Sequence, residues 1–178
     1  RLTGYSRPEV YHMNEGHAGF LAMERIRELM TAESLSFDEA LEVVRASTLF
    51  TTHTPVPAGI DRFPRELIEQ HFGAPDHALG LPIERVIALG AETYPGGDPS
   101  VFNMAVMGLR VAQRANGVSL LHGAVSRAMF AGLWPSFDES EVPITSVTNG
   151  VHAPTWVSPQ MRDLVRRDLG VDLQSDGD

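Results

Sequence analysis

The chain has 178 residues, 43% of them hydrophobic, enough for a packed core and for either one domain or part of a larger one. Its formal charge is −9, and its 14 basic residues are all arginine and scattered, which excludes a nucleic-acid surface built on clustered positive charge. With no long apolar run and no signal layout, a membrane span is excluded, and zero cysteines remove disulfides and thiolate metal sites and fit a reducing, cytoplasmic compartment.

The chain opens on Arg1 without an initiator methionine, reaches Gly4 and then a dense polar cluster, and closes on an acidic tail at 174–178; it reads as cut from something longer. Phe20, Leu21, Met23, Ile26, Leu29 and Met30 recur at helical spacing and predict an amphipathic helix over 16–31, with Asn14 as its cap. A second helix begins at Ser36, where Glu39 completes a capping box. The Thr-rich stretch 47–54, carrying Leu49 and Phe50, predicts a buried strand that Pro55 and Pro57 stop. Pro64 and Pro82 start short helices running to about 71 and 91, and the Tyr-Pro-Gly-Gly-Asp-Pro run at 94–99 is a loop. Helices follow over 102–115 and 119–133, both expected to be largely buried, joined at Asn116-Gly117 by a left-handed cap and tight turn. A strand over 142–147 ends at Thr148-Asn149-Gly150, and Ser158-Pro159 caps a final helix to about 169. The pattern is that of a helix-rich α/β chain without internal repeats.

Polar side chains gather in three places that follow or interrupt apolar segments: Asn14-Glu15-Gly16-His17, Thr51-Thr52-His53-Thr54 and Thr148-Asn149-Gly150. Strand ends are where α/β proteins bind ligands. Each cluster also has a local reading, with Asn14 as a helix cap, His53 as a hydrogen-bonded core histidine and Asn149-Gly150 as a turn. His12, Glu15 and His17 lack the four-residue histidine spacing of a helical zinc motif, so no metal is assigned. There is no Gly-x-Ser-x-Gly elbow, and Gly96-Gly97-Asp98 lacks the helix that a phosphate loop needs. Asparagine, histidine, threonine and carboxylate together suit sugar hydroxyls, each of which is donor and acceptor at once.

Four blocks carry a resemblance. Tyr-His-Met-Asn-Glu-Gly-His-Ala-Gly-Phe at 11–20, Phe-Thr-Thr-His-Thr-Pro-Val-Pro-Ala-Gly-Ile-Asp-Arg-Phe-Pro at 50–64, Ala-Asn-Gly-Val-Ser-Leu-Leu-His-Gly-Ala-Val-Ser-Arg at 115–127 and Val-Pro-Ile-Thr-Ser-Val-Thr-Asn-Gly-Val-His at 142–152 resemble the α-glucan (glycogen/maltodextrin) phosphorylase family, in its order. Asn-Glu-Gly-His and Thr-His-Thr-Pro-Val-Pro resemble its bacterial-type branch rather than the muscle-type pattern, which has Asn-Asp-Thr-His and Val-Leu-Pro-Glu after the histidine.

The resemblance implies a fragment of a two-lobed GT-B-type glycosyltransferase fold of paired Rossmann-like domains, with 1–141 late in the N-terminal glucan-binding lobe and 142–178 crossing into the C-terminal lobe. It implies that the His53 imidazole binds the sugar 6-hydroxyl while its backbone carbonyl faces the developing oxocarbenium ion. Asn149 would hold the same hydroxyl, Val118 would close that side, and Asn14, Glu15, His17 and Asp61 would line the pocket by the sugar's β-face. For His17 and Asp61 local scaffolding is the alternative, and His122 reads as a packing histidine. Trp156 aligns with a tryptophan near the cofactor phosphate.

The implied reaction is reversible phosphorolysis of an α-1,4-glucan end by inorganic phosphate, giving glucose 1-phosphate with retention. The implied cofactor is pyridoxal 5′-phosphate, whose phosphate rather than a carboxylate pair handles the proton. Its attachment lysine is absent, since the chain contains no lysine, so it and the phosphate-holding basic residues are expected in a missing C-terminal lobe. The stretch alone is expected to be inactive and poorly soluble, because helices near 102–133 lose their neighbours. Homo-oligomerisation is left open. The alternative is a non-catalytic carbohydrate-binding module derived from a phosphorylase.

Overall fold

A computed structural model of the chain describes residues 8–73 and 80–171; Arg1, Gly4 and the acidic tail at 174–178 lie outside the described residues. The chain forms two compact units divided between Thr148 and Asn149.

The first unit is built on a four-stranded parallel sheet in the order β1 (Tyr11–Asn14), β2 (Thr48–Thr52), β5 (Arg114–Gly117), β6 (Ile144–Ser146). A two-stranded antiparallel ribbon pairs β3 (Arg62–Pro64) with β4 (Val101–Asn103). Parallel strands need long crossovers, and helices supply them. Between β1 and β2 run α1 (Phe20–Glu33) and α2 (Phe37–Ala46), and α3 (Arg65–Ile68) and α4 (Ile83–Gly90) separate β3 from β4. Then α5 (Met104–Arg110) leads into β5, and α6 (Leu120–Phe130) joins β5 to β6.

One buried row crosses the sheet: Met13 pairs with Phe50, Phe50 with Ala115 and Ala115 with Ile144. Met23 and Ile26 of α1 and the six buried residues Met104 to Leu109 of α5 belong to the same core. A fully buried side chain the size of Phe50 contributes about 2–3 kcal/mol of apolar transfer.

Sequence signals hold where a side chain closes a helix end. Ser36 and Glu39 form the reciprocal capping box of α2, Ser119 Oγ accepts from His122 N at 3.1 Å on α6, and Pro82 leads into α4. Several expectations fail. Asn14 does not cap a helix: it ends β1, and α1 starts only at Phe20 after a 3₁₀ turn over His17–Gly19. The helix from Pro64 is one α turn followed by a π turn over Glu69–Gly73.

The stretch expected as a single helix over 102–115 is strand β4, the seven-residue α5 and strand β5. The Asn103 side chain accepts from Ala105 N at 2.9 Å and Val106 N at 3.1 Å, so helix begins after it. At the other end Gln113 N donates to the carbonyls of Arg45 and Thr48, which delivers the chain to the sheet. Asn116 and Gly117 are accordingly not a turn. They are buried in β5, between Thr51-Thr52 and Thr145-Ser146. A Cβ on Gly117 would stand 2.8 Å from His122 Nδ1 and 2.9 Å from Gly123 N, so close helix packing explains this glycine. Nor is α6 buried throughout, since Leu120 and Leu121 are 78% and 76% exposed.

The second unit holds α7 (Ala153–Trp156) and α8 (Pro159–Leu169), the latter capped by Ser158, whose Oγ accepts from Met161 N at 3.3 Å. Among the described residues no helix is long and apolar enough to cross a membrane.

Candidate functional site

Parallel strands finish at one edge, and here that edge collects the first two polar clusters. Asn14 ends β1, Thr52 ends β2 and Gly117 ends β5, so Glu15, His53 and Val118 are the first residues beyond three adjacent strand ends. Neighbouring strands lie about 4.8 Å apart, which sets these groups within reach of one small ligand.

Glu15 is the hub. Its Oε2 accepts three hydrogen bonds from the chain leaving β2: from Thr52 Oγ1 at 2.9 Å, His53 N at 2.7 Å and Thr54 N at 2.9 Å. Its backbone N donates to Thr51 O at 2.9 Å, which extends the β1–β2 ladder by one bond. Glu15 Oε1 is buried and has no hydrogen-bond partner among the described residues.

Asn14 Oδ1 lies 3.0 Å from His53 Nε2. An amide oxygen only accepts, so in the neutral ring this bond puts the proton on Nε2 and makes Nδ1 the acceptor, on an exposed side chain. Behind them, His12 Nε2 lies 2.7 Å from Thr51 Oγ1, which donates to Asn116 Oδ1 at 2.9 Å. That relay ties β1, β2 and β5 together under the edge, and Thr51 and Asn116 are 5% and 6% exposed. Asn116 is missed as part of this support because Asn-Gly reads locally as a turn, whereas Thr51 stood in the second polar cluster.

Gly16 has φ +95° and ψ −146°, a backbone region essentially reserved for glycine. A Cβ there would come within 3.4 Å of Asp61 Oδ2, so the Asp61 carboxylate lies beside the 14–16 segment. Asp61 is fixed through its backbone, its carbonyl accepting from Met104 N at 3.0 Å. His17 opens the 3₁₀ turn and is exposed. Val118 is half-buried and donates its N–H to His122 Nδ1 at 3.1 Å. Buried His122 packs where α6 meets Gly117. The structure therefore brings Asn14, Glu15 and His53 into direct contact, sets Asp61 against Gly16 and puts Val118 past the end of β5, the strand that adjoins β2. Asn149 and Trp156 belong to the second unit; both are exposed, Trp156 by 80%.

A cavity of about 400 Å³ bounded by Arg45, Tyr94, Arg110 and Trp134 is lined by none of these residues. Its arginines have structural work: Arg110 Nη1 donates to the carbonyls of Ala88, Leu89 and Ala91, and Arg45 Nε donates to the carbonyl of Arg110.

No protein-family model matches the chain. Whole-sequence comparison does find relatives. A glycogen phosphorylase of Mycobacterium tuberculosis is 64% identical over 171 residues, 93% of this chain and 19% of that protein. A maltodextrin phosphorylase of Thermococcus litoralis is 42% identical over 96% of this chain and 19% of its own length. A glycogen phosphorylase of Aquifex aeolicus is 38% identical over 90% of this chain and 22% of its own length. The chain thus spans about a fifth of the length of the curated relatives it matches. Along nearly all of its residues the sequence resembles one portion of these longer glycogen and maltodextrin phosphorylases.

Proposed function

We propose that this chain is part of an α-glucan phosphorylase, an enzyme that cleaves α-1,4-glucan ends with inorganic phosphate and releases glucose 1-phosphate with retained configuration. The observation that carries the reading is the Glu15–His53–Asn14 contact at the carboxyl edge of a parallel sheet, in a sequence 64% identical to a glycogen phosphorylase.

In this reading His53 is the catalytic residue. Its Nδ1 lone pair accepts the sugar 6-hydroxyl, and its backbone carbonyl points a fixed dipole at the anomeric carbon. A dipole so placed favours the positive charge that exists only in the transition state. Asn14, Glu15, His17 and Asp61 form the wall by the sugar's β-face and Val118 closes the adjacent side, while Asn149, in the second unit, keeps the 6-hydroxyl role that the resemblance gives it. Residues 1–141 are then the late part of an N-terminal lobe and 142–178, which open with β6 of the parallel sheet, the crossover of a two-lobed GT-B arrangement.

The reading also implies pyridoxal 5′-phosphate, which a lysine imine would hold and whose phosphate would supply acid–base chemistry. The residues here do not fit that attachment: the chain has no lysine, and Trp156 is largely exposed. In this reading the protein is cytoplasmic, and the cofactor's attachment site and any oligomer interface lie in the rest of the polypeptide.

The test is phosphorolysis by the full polypeptide containing this chain, supplied with glycogen and phosphate and assayed for glucose 1-phosphate with and without pyridoxal phosphate. Cofactor-dependent product is expected from the full polypeptide and none from the 178-residue stretch alone. A folded, cofactor-loaded protein that binds glucan and makes no product would replace the enzyme by a carbohydrate-binding relative.

A further inference from the structure

We infer that Glu15 is a positioning residue that orients and polarises the peptide between His53 and Thr54, and so sets the strength of the His53 carbonyl; this rests on the phosphorylase reading given above. Three observations lead there. All the hydrogen bonds that Glu15's side chain accepts arrive at Oε2, from the Thr52 hydroxyl and two successive backbone N–H groups. Such a pair of N–H groups converging on one anion is a nest, and here the anion is part of the protein. The other oxygen, Oε1, is buried and has no hydrogen-bond partner among the described residues, so the side chain's bonding goes to the chain leaving β2.

The geometry of the peptide does the rest. No cis peptide bond occurs among the described residues. In a planar trans peptide the C=O points opposite to the N–H. Thr54 N–H points at Glu15 Oε2, so the His53 carbonyl, which belongs to the same plane, points away from Glu15. Charge-assisted bonds are the stronger class, and an acceptor on the N–H side of an amide draws electron density toward its oxygen. Glu15 thus does two things through one bond: it fixes the direction of the carbonyl and it makes that oxygen a better partner for a cation. Neither effect changes much for a neutral ground-state sugar. Both matter when positive charge develops at the anomeric carbon.

The experiment is Glu15→Gln in the full cofactor-loaded protein, a nearly isosteric change that keeps an acceptor oxygen and removes the charge. The expected result is a fall in kcat of about tenfold to a hundredfold with KM for glucan within about threefold. Affinity for a piperidine iminosugar, whose ring ammonium mimics the transition-state charge, falls in parallel with kcat/KM, while affinity for glucose holds. Equal losses for the cationic and neutral ligands, or an unchanged kcat, would overturn the inference. Backbone hydrogen exchange over 52–54, compared between parent and Glu15→Gln, needs no activity. Faster exchange at His53 and Thr54 supports the nest, and unchanged exchange removes it. A parent protein without phosphorolysis would instead sink the enzyme reading, leaving the exchange result to judge the nest alone.

Discussion

The Asn14–His53 bond fixes a tautomer, and the tautomer decides what His53 offers a ligand. With the proton on Nε2 directed at Asn14 Oδ1, the free Nδ1 accepts a hydroxyl and does not donate to one. His53→Ala removes this acceptor and leaves the backbone carbonyl and its Glu15 anchor in place. In the full enzyme the substitution is expected to lower kcat by about tenfold to a hundredfold, roughly 1.4–2.7 kcal/mol, with a smaller effect on KM. Steady-state kinetics on glucan and phosphate check this, and a change confined to KM would assign the imidazole to ground-state binding only. Asn14→Ala should reproduce part of the same loss, because the imidazole then keeps its place but not its fixed proton. The polar residues Asn14, Glu15 and His53 were legible in the sequence as clusters at segment ends and as family motifs. Their connection was not, because three donors meeting at one carboxylate oxygen is a property of two strand ends brought side by side.

At the scale of elements, sequence reading succeeded where one side chain fixes a boundary and failed where tertiary pairing overrode local preference. The capping box at Ser36 and Glu39 is local chemistry, and α2 begins where it says. The apolar run after Phe102 is helical in composition, but Asn103 delays the helix and the sheet claims its sequel from Arg114. Asn103 is itself held by Glu92, which no local pattern marks. Glu92 is 5% exposed and takes Asn103 Nδ2 at 2.7 Å, Asp98 N at 2.9 Å and both Arg62 donors at 2.9 and 2.7 Å. Burial pushes this carboxyl up, but the bonds from Asn103, Asp98 and Arg62 together hold it below the usual carboxylate range. A depressed folded value means stability present above the unfolded pKa and lost as pH falls through the folded one. Arg62 is 40% exposed, so the bond from buried Asn103, joined by that from the Asp98 backbone N–H, carries most of the effect. Glu92→Gln is therefore expected to lower stability at neutral pH by roughly 1.5–3 kcal/mol. Melting of the intact protein at falling pH should show the gap to the parent closing below the carboxylate range. A gap independent of pH would mean that the charge contributes nothing.

For the whole molecule, the balance of buried and exposed apolar surface separates what this chain completes by itself from what it leaves open. The helix Met104–Arg110 looked from its sequence like a source of stickiness, but its apolar residues are buried by the chain's own sheet and helices. The open surface lies elsewhere. Leu120 and Leu121, at the first turn of α6 and just past Val118 at the sheet edge, are 78% and 76% exposed. Burying two such side chains removes apolar area from water, which favours contact with any surface that can cover them. The curated relatives are about five times as long as the stretch they share with this chain, and under the phosphorylase reading the remaining polypeptide covers these leucines. Produced alone, the 178-residue chain is expected to self-associate, and the double substitution Leu120→Glu with Leu121→Glu should shift it toward monomer in light scattering. In the full polypeptide the same pair of charges should instead lower stability, since two carboxylates would then have to be buried beside the neighbouring chain. The opposite signs are the point of the comparison. A chain that is monomeric without substitution, or a full protein indifferent to the two charges, would show that α6 faces water in both settings.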